Sequence, residues 1–166
     1  MALFTKDELD DLREKVKDVK FGMFTTADAS RSMSSRPLTN QQLDDEGNMW
    51  FFISDEQAFT RELVDNPSVN ITFTDVDDHL YVSVSGRAEM LRDRQKAQEL
   101  WNPMVKAWFP DGVDDPHLAL LKVHAQSAEY WDTGNSKMVT LFAMAKAAIT
   151  GQPPKHVGEH KTMGVQ

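Results

Sequence analysis

Arg36 and Ser54 are the side chains whose placement points most directly to chemistry. Arg36 stands in the strand-like run Ser35–Arg36–Pro37–Leu38, and Ser54 closes the apolar run Met49–Ser54. The residues that follow read as a helix from Gln57 to Asp65. A strand end feeding a helix start offers free backbone N–H groups, and a guanidinium from a neighbouring strand adds a cation matched to oxyanions. The arrangement suits a phosphate.

The remaining chemistry-bearing residues are less productive. His156–Val157–Gly158–Glu159–His160 spells H-x-x-E-H, a zinc-protease motif read in reverse, which needs a helix to bring both imidazoles to one side. Pro153, Pro154 and Gly158 oppose that helix, so a polar tail docked on the body of the protein is the better reading, and no metal site is expected. The chain has no cysteine, which excludes disulfides, thiolate metal sites and thiol catalysis and fits a cytoplasmic protein. Acid clusters at 44–46, 75–78 and 111–115 fall at predicted turns and lack the ligand spacing of a calcium loop. His79, His117 and His124 are scattered.

With 166 residues and a net charge of −8, the chain has no basic field for nucleic acid, and no window approaches the length of a membrane span. It reads as one domain, with an N-terminal helix in 1–20, a barrel with inserted helices in 21–132, a C-terminal helix in 135–150 and a polar tail in 151–166.

These residues must be positioned by strands. Thr5–Lys6–Asp7–Glu8 is a capping box that opens an amphipathic helix to about Val19. Strands are predicted at Phe21–Thr26, Met33–Leu38 and Asn48–Ser54, then around Val69, Ile71 and Phe73, and at Tyr81–Leu91, where Gly86 marks a bulge or bend. Asp93 caps a helix toward Trp108 that Pro103 interrupts, and Trp101 and Trp108, seven residues apart, would serve packing or subunit contact. A helical turn through Leu120 precedes strands at Leu121–Gln126 and Ala128–Asp132. Six or seven strands, mostly adjacent in sequence, favour a mainly β, antiparallel split barrel with peripheral helices over a doubly wound parallel sheet.

Several of these segments together resemble a known family. They are Ser35–Arg36–Pro37–Leu38, Gly47–Asn48–Met49–Trp50–Phe51–Phe52, Asn66–Pro67–Ser68–Val69, Tyr81–Val82–Ser83–Val84–Ser85–Gly86–Arg87–Ala88, Trp101 with Trp108–Phe109–Pro110, Asp114–Asp115–Pro116 and Ala128–Glu129–Tyr130–Trp131–Asp132. In this order, they resemble the flavin mononucleotide-binding split-barrel superfamily that includes pyridoxamine 5′-phosphate oxidase, and most of all its general stress protein 26 branch.

The resemblance implies a homodimer with flavin mononucleotide (FMN) or FAD at the subunit interface. Arg36, Pro37 and Leu38 would contact the flavin phosphate and ring, and Phe52, Ile53 and Ser54 would run along the ring and ribityl chain. Trp131 matches a tryptophan that approaches flavin from the partner subunit. Phe59 stands where the family carries a phosphate-binding lysine, seven residues before Asn66, and Arg61 is the nearby cation, about 200° round the helix. Lys137–Met138–Val139 replaces the oxidase's Arg-x-His, so a true pyridoxamine 5′-phosphate oxidase is not implied. Two functions follow. One is a flavin-dependent oxidoreductase acting on a small molecule or electron carrier. The other is a non-catalytic, flavin-binding or flavin-free dimer that senses or binds a partner.

Overall fold

The computed structural model describes residues 3–133, 144, 148–152 and 158–164. The chain opens with helix α1 (Lys6–Val16), started by the predicted capping box: Glu8 N–H donates to Thr5 Oγ1 (3.3 Å) and Thr5 N–H donates to the Glu8 carboxylate (2.7 Å). Strands β1 (Gly22–Ala27), β2 (Met33–Leu38), β3 (Gln42–Leu43) and β4 (Asn48–Ser54) follow, then α2 (Phe59–Asp65), β5 (Ser68–Asp75) and β6 (Leu80–Leu91). Helices α3 (Arg94–Leu100) and α4 (Pro103–Lys106) and a 3-10 turn at Gly112–Asp114 lead into β7 (Leu118–Asp132) and β8 (Glu159–Gly164).

Every strand pairing is antiparallel, in the order β2-β1-β5-β6-β7-β4-β3, with β8 added on β7. β2 and β3 stand at opposite ends of this order, yet only Thr39–Gln41 joins them. Seven strands laid flat would hold the outer two about 29 Å apart at the usual interstrand spacing. The four peptide steps from Leu38 to Gln42 reach only about 14 Å. The sheet therefore curls back on itself into a barrel. It is split along β7, whose one edge is shared between β4 at Leu118–His124 and β8 at Ser127–Asp132.

Strand alternation sorts the side chains into two apolar clusters. Phe24, Met49, Phe51, Ile53, Ile71, Phe73, Val84 and Leu121 fill the barrel, closed at one end by Leu9, Leu12 and Val16 of α1. The opposite faces of β4 and β7 present Trp50, Phe52, Leu118 and Leu120 to α3 and α4, where they pack with Ala97, Val105, Phe109 and Trp101. The second cluster holds the α3–α4 segment against β4, beside Ser54.

The predicted bulge forms at Gly86. Ser85 pairs with Ser127 and Gly86 with Ala125, so Gln126 is the extra residue on β7. A Cβ at Gly86 would lie 2.4 Å from the carbonyl oxygen of His124. The break before Pro103 also forms, with Asn102 capping α4 through the N–H groups of Met104 and Val105. Trp101 and Trp108 consequently do not share one helix: Trp101 packs edge-on against Phe52 (5.8 Å), while Trp108 is 80 % exposed. The acid clusters shape turns, as Asp44, Asp75 and Asp115 accept from nearby backbone N–H groups.

Several boundaries differ from the sequence reading, α1 among them, which ends at Val16 rather than Val19. β7 is one strand of 15 residues, where a helical turn and two strands were predicted. Its Leu118–Leu121 run is apolar on both faces because each face meets a different cluster, and such a run carries no period to read. β3 is only two residues long. Glu159–Gly164, predicted as surface tail, is an eighth strand with Met163 in the core. α2 starts at Phe59 rather than Gln57. The predicted 135–150 helix lies largely outside the described residues.

Candidate functional site

Arg36 points inward at the rim of the barrel, beside α2. Its Nη1 donates to Thr26 Oγ1 (2.7 Å) and its Nη2 to Ser34 Oγ (2.6 Å), and its guanidinium lies over the Phe59 ring at 4.5 Å. Thr26 is buried and passes its own hydrogen to Glu62 Oε2 (2.6 Å), so one hydroxyl links the cation to a carboxylate. Partial burial lowers the Arg36 pKa and the Glu62 charge opposes that shift. The group stays cationic, because arginine starts so far above neutrality. Two of its five N–H donors are committed to Thr26 and Ser34, which leaves three for a ligand.

Arg36 lines a shallow recess of about 470 Å³ with Ser34, Pro37, Leu38, Gln57, Phe59 and Glu62. Pro37, Leu38 and Gln57 also line a neighbouring cleft of about 500 Å³, whose walls include Phe52, Ile53 and Ser54. The two spaces thus adjoin across these three residues. Six of the predicted contact residues, Arg36, Pro37, Leu38, Phe52, Ile53 and Ser54, converge here from β2 and β4. The Ser54 hydroxyl oxygen accepts from Glu56 N–H (3.3 Å) and keeps its O–H to donate. The far wall carries Met104, Trp108, Phe109 and His117.

The other two predicted residues lie elsewhere. Arg61 is exposed on α2 and lines neither space; among the described residues its side chain has no hydrogen-bond or ion-pair partner. Trp131 sits on β7, opposite Tyr81 of β6 and His160 of β8. Within one chain it does not line the cleft.

Sequence reasoning missed Thr26, Ser34, Gln57, Trp108 and His117. Thr26 gives no signal, because its importance comes from the partners that β2 and α2 bring to it. The Asp55 carboxylate holds His117, with Nδ1 to Oδ1 at 3.1 Å, and Arg92 pairs with the same carboxylate. The hydrogen bond to Asp55, with the Glu56 charge behind it, raises the His117 pKa above its ordinary 6.5. A lone histidine after Asp115–Pro116 could not announce that partnership across 62 positions.

Of the H-x-x-E-H segment, Glu159 and His160 lie in β8. Glu159 accepts from the Tyr130 hydroxyl (2.9 Å), and the His160 imidazole contacts Glu129 and Trp131. Strand geometry sends neighbouring side chains to opposite faces, so Glu159 and His160 do not converge on one ion. Among the described residues no group of three potential ligands could hold a metal, and no helix is long and apolar enough to cross a membrane.

Comparison with known proteins bears on this geometry. The family model for pyridoxamine 5′-phosphate oxidase like proteins matches residues 7–155. General stress protein 26 of Bacillus subtilis is 27 % identical over 138 residues, covering 79 % of this chain and 96 % of the relative. A crystal structure described as general stress protein 26 from Jannaschia sp. CCS1 superposes with a TM-score of 0.76 at 26 % identity, covering 97 % of this chain and 100 % of that one. The general stress FMN/FAD binding protein of Xanthomonas citri superposes with a TM-score of 0.68 at 32 % identity, covering 80 % of this chain and 93 % of that one.

Proposed function

The chain belongs to the pyridoxamine 5′-phosphate oxidase like family, and from that premise we propose that it binds a flavin, FMN in preference to FAD, in the cleft between β2 and β4. The convergence of Arg36 with the Pro37–Leu38 and Phe52–Ser54 walls carries this reading. The Xanthomonas citri relative, an FMN/FAD binding protein, supports the ligand class.

The residues present suit a flavin. Arg36 offers three unused donors to a phosphate, held in place by Thr26, Ser34 and Phe59. Leu38 and Phe52 supply apolar surface that excludes water from a planar ring, with the β4 backbone at Ile53 beside them. The Ser54 hydroxyl and Gln57 supply polar contacts along the ribityl chain. A flavin, when bound, itself supplies the electron-transfer chemistry. The protein's share is to bind, orient and desolvate, which is why no acid–base dyad is required. Arg61, exposed on α2 and lining neither space, is given no contact in this site.

Trp131 completes the site from a second copy. It lies outside its own chain's cleft, on an outward row with Tyr81, so a contact with flavin needs a two-fold homodimer. We place this dimer in the cytoplasm, where its cysteine-free sequence faces no redox demand. Oxidoreductase action on a small molecule or an electron carrier is tested by adding NAD(P)H anaerobically to the flavin-loaded dimer. Loss of the yellow colour supports turnover. A loaded dimer that stays yellow with every donor supports the non-catalytic, flavin-binding reading, which Phe59 in place of a phosphate-binding lysine favours.

A further inference from the structure

The last described strand, β8, begins beside Trp131, and its His160 ring meets the indole. The imidazole and indole are stacked in parallel, with centroids 5.0 Å apart and planes 5° from parallel. Glu129, two residues before Trp131 on β7, holds the imidazole through Nε2 at 2.5 Å. β8 sets this arrangement by its register, with Trp131 opposite His160 and Glu129 opposite Thr162. Next to the stack, Tyr130 points the other way, into the core, where its hydroxyl meets Glu159 and Asp11. The strand that carries Trp131 is thereby pinned from both faces by β8.

Trp131 nevertheless remains 43 % exposed. One face of the indole is covered by imidazole, so the exposure belongs to the other face and the edge. Tyr81, its cross-strand partner on β6, is similarly exposed. An indole with one face backed and one face open is a rigid platform for a planar ring, since offset and parallel ring contacts are favourable and a fixed ring loses little entropy on binding.

We propose that His160 is a positioning residue: anchored by Glu129, it fixes the Trp131 indole so that its open face stacks on the flavin ring held in the cleft of a second copy. This rests on the flavin reading above. It gives the C-terminal strand a part in the site and gives the H-x-x-E-H segment a role other than metal binding.

The test titrates FMN into the wild-type dimer and into Trp131→Ala, His160→Ala, the double variant and His160→Phe. The melting midpoint and the Trp131 indole N–H resonance are recorded for each. His160→Ala is expected to shift that resonance and raise Kd about three- to ten-fold, the scale of one aromatic pair. The double variant is expected to bind no more weakly than Trp131→Ala, and His160→Phe, which restores a planar ring without the Glu129 contact, to recover most of the affinity. Losses that simply add in the double variant, or a His160→Ala protein with wild-type affinity and an unmoved resonance, would overturn the proposal. If wild type takes up no flavin, the proposed function fails and this inference fails with it; if wild type binds flavin and His160→Ala binds it equally well, the flavin reading stands and the positioning role alone is overturned. Should His160→Ala not fold, Glu129→Ala, which removes the partner of the His160 imidazole, carries the same measurements.

Discussion

The guanidinium carbon of Arg36 lies 4.5 Å from the centroid of the Phe59 ring. Phe59 is 6 % exposed and packs with Phe24 at 5.9 Å, so it belongs to the core and to the recess at once. Where resemblance to the family would place a second phosphate-binding cation, this chain has an apolar floor that orients the first. A cation over an aromatic face is worth about 0.5–1 kcal/mol when exposed and about 2 when desolvated.

Substituting Phe59 tests that exchange. Phe59→Ala should cost about 3–5 kcal/mol of stability, the usual loss for a buried phenylalanine, read by urea unfolding. Phe59→Lys should also destabilise, because its ammonium would start from a core position, and it should not tighten FMN binding. A Phe59→Lys protein as stable as wild type with higher affinity would show that the position faces the ligand.

Glu62 is the adverse charge in the recess. Its carboxylate accepts from Thr26 and lines the space that holds Arg36. Glu62→Gln keeps an acceptor for the Thr26 hydroxyl and removes the negative charge. FMN should then bind several-fold tighter at low salt, with the gain shrinking as ionic strength rises. Equal affinity at low salt would place the phosphate away from Arg36.

The limits of the sequence reading have physical causes. The places of Arg36 in β2 and Ser54 at the end of β4 are legible, because a strand end and a lone guanidinium are local features, whereas Leu38 enters only through the resemblance. The capping box at Thr5 and the bulge at Gly86 were legible for the same reason. β8 was not, because Met163 is its one core residue and a single apolar side chain makes no alternation. The support for Arg36 was equally hidden: Thr26 and Glu62 lie 10 and 36 positions from the partners they bond. Only the resemblance singles out Trp131, and its stacking on His160 depends on a strand whose pattern is not legible.

His117 makes stability depend on pH. Its pKa is raised by the Asp55 hydrogen bond and then by the Glu56 charge. A raised folded-state pKa means that the contribution is fully present below the unfolded value of 6.5 and is lost as pH rises through the folded value. The melting-point difference between wild type and His117→Gln should therefore be largest in mildly acidic buffer and vanish in alkaline buffer. A proton NMR titration should place the His117 midpoint above 6.5. A difference that grows with pH would contradict the Asp55 pairing.

Gly86 tests the split barrel itself. A Cβ there meets the backbone carbonyl of His124, which cannot move without disturbing both β6 and β7. Gly86→Ala should cost at least about 2 kcal/mol, in the range of strained backbone and overpacking effects, read by thermal unfolding. A neutral substitution would mean that the bulge relaxes freely.

Titration of flavin-stripped wild type and Arg36→Ala with FMN, followed by fluorescence quenching, tests the central claim most directly. The account predicts saturable binding by wild type at one flavin per chain and a loss of about 1.5–3 kcal/mol in Arg36→Ala, the scale of a charge-assisted hydrogen bond, with the melting point little changed. No saturable binding by wild type, or equal affinity in the two proteins, would contradict it.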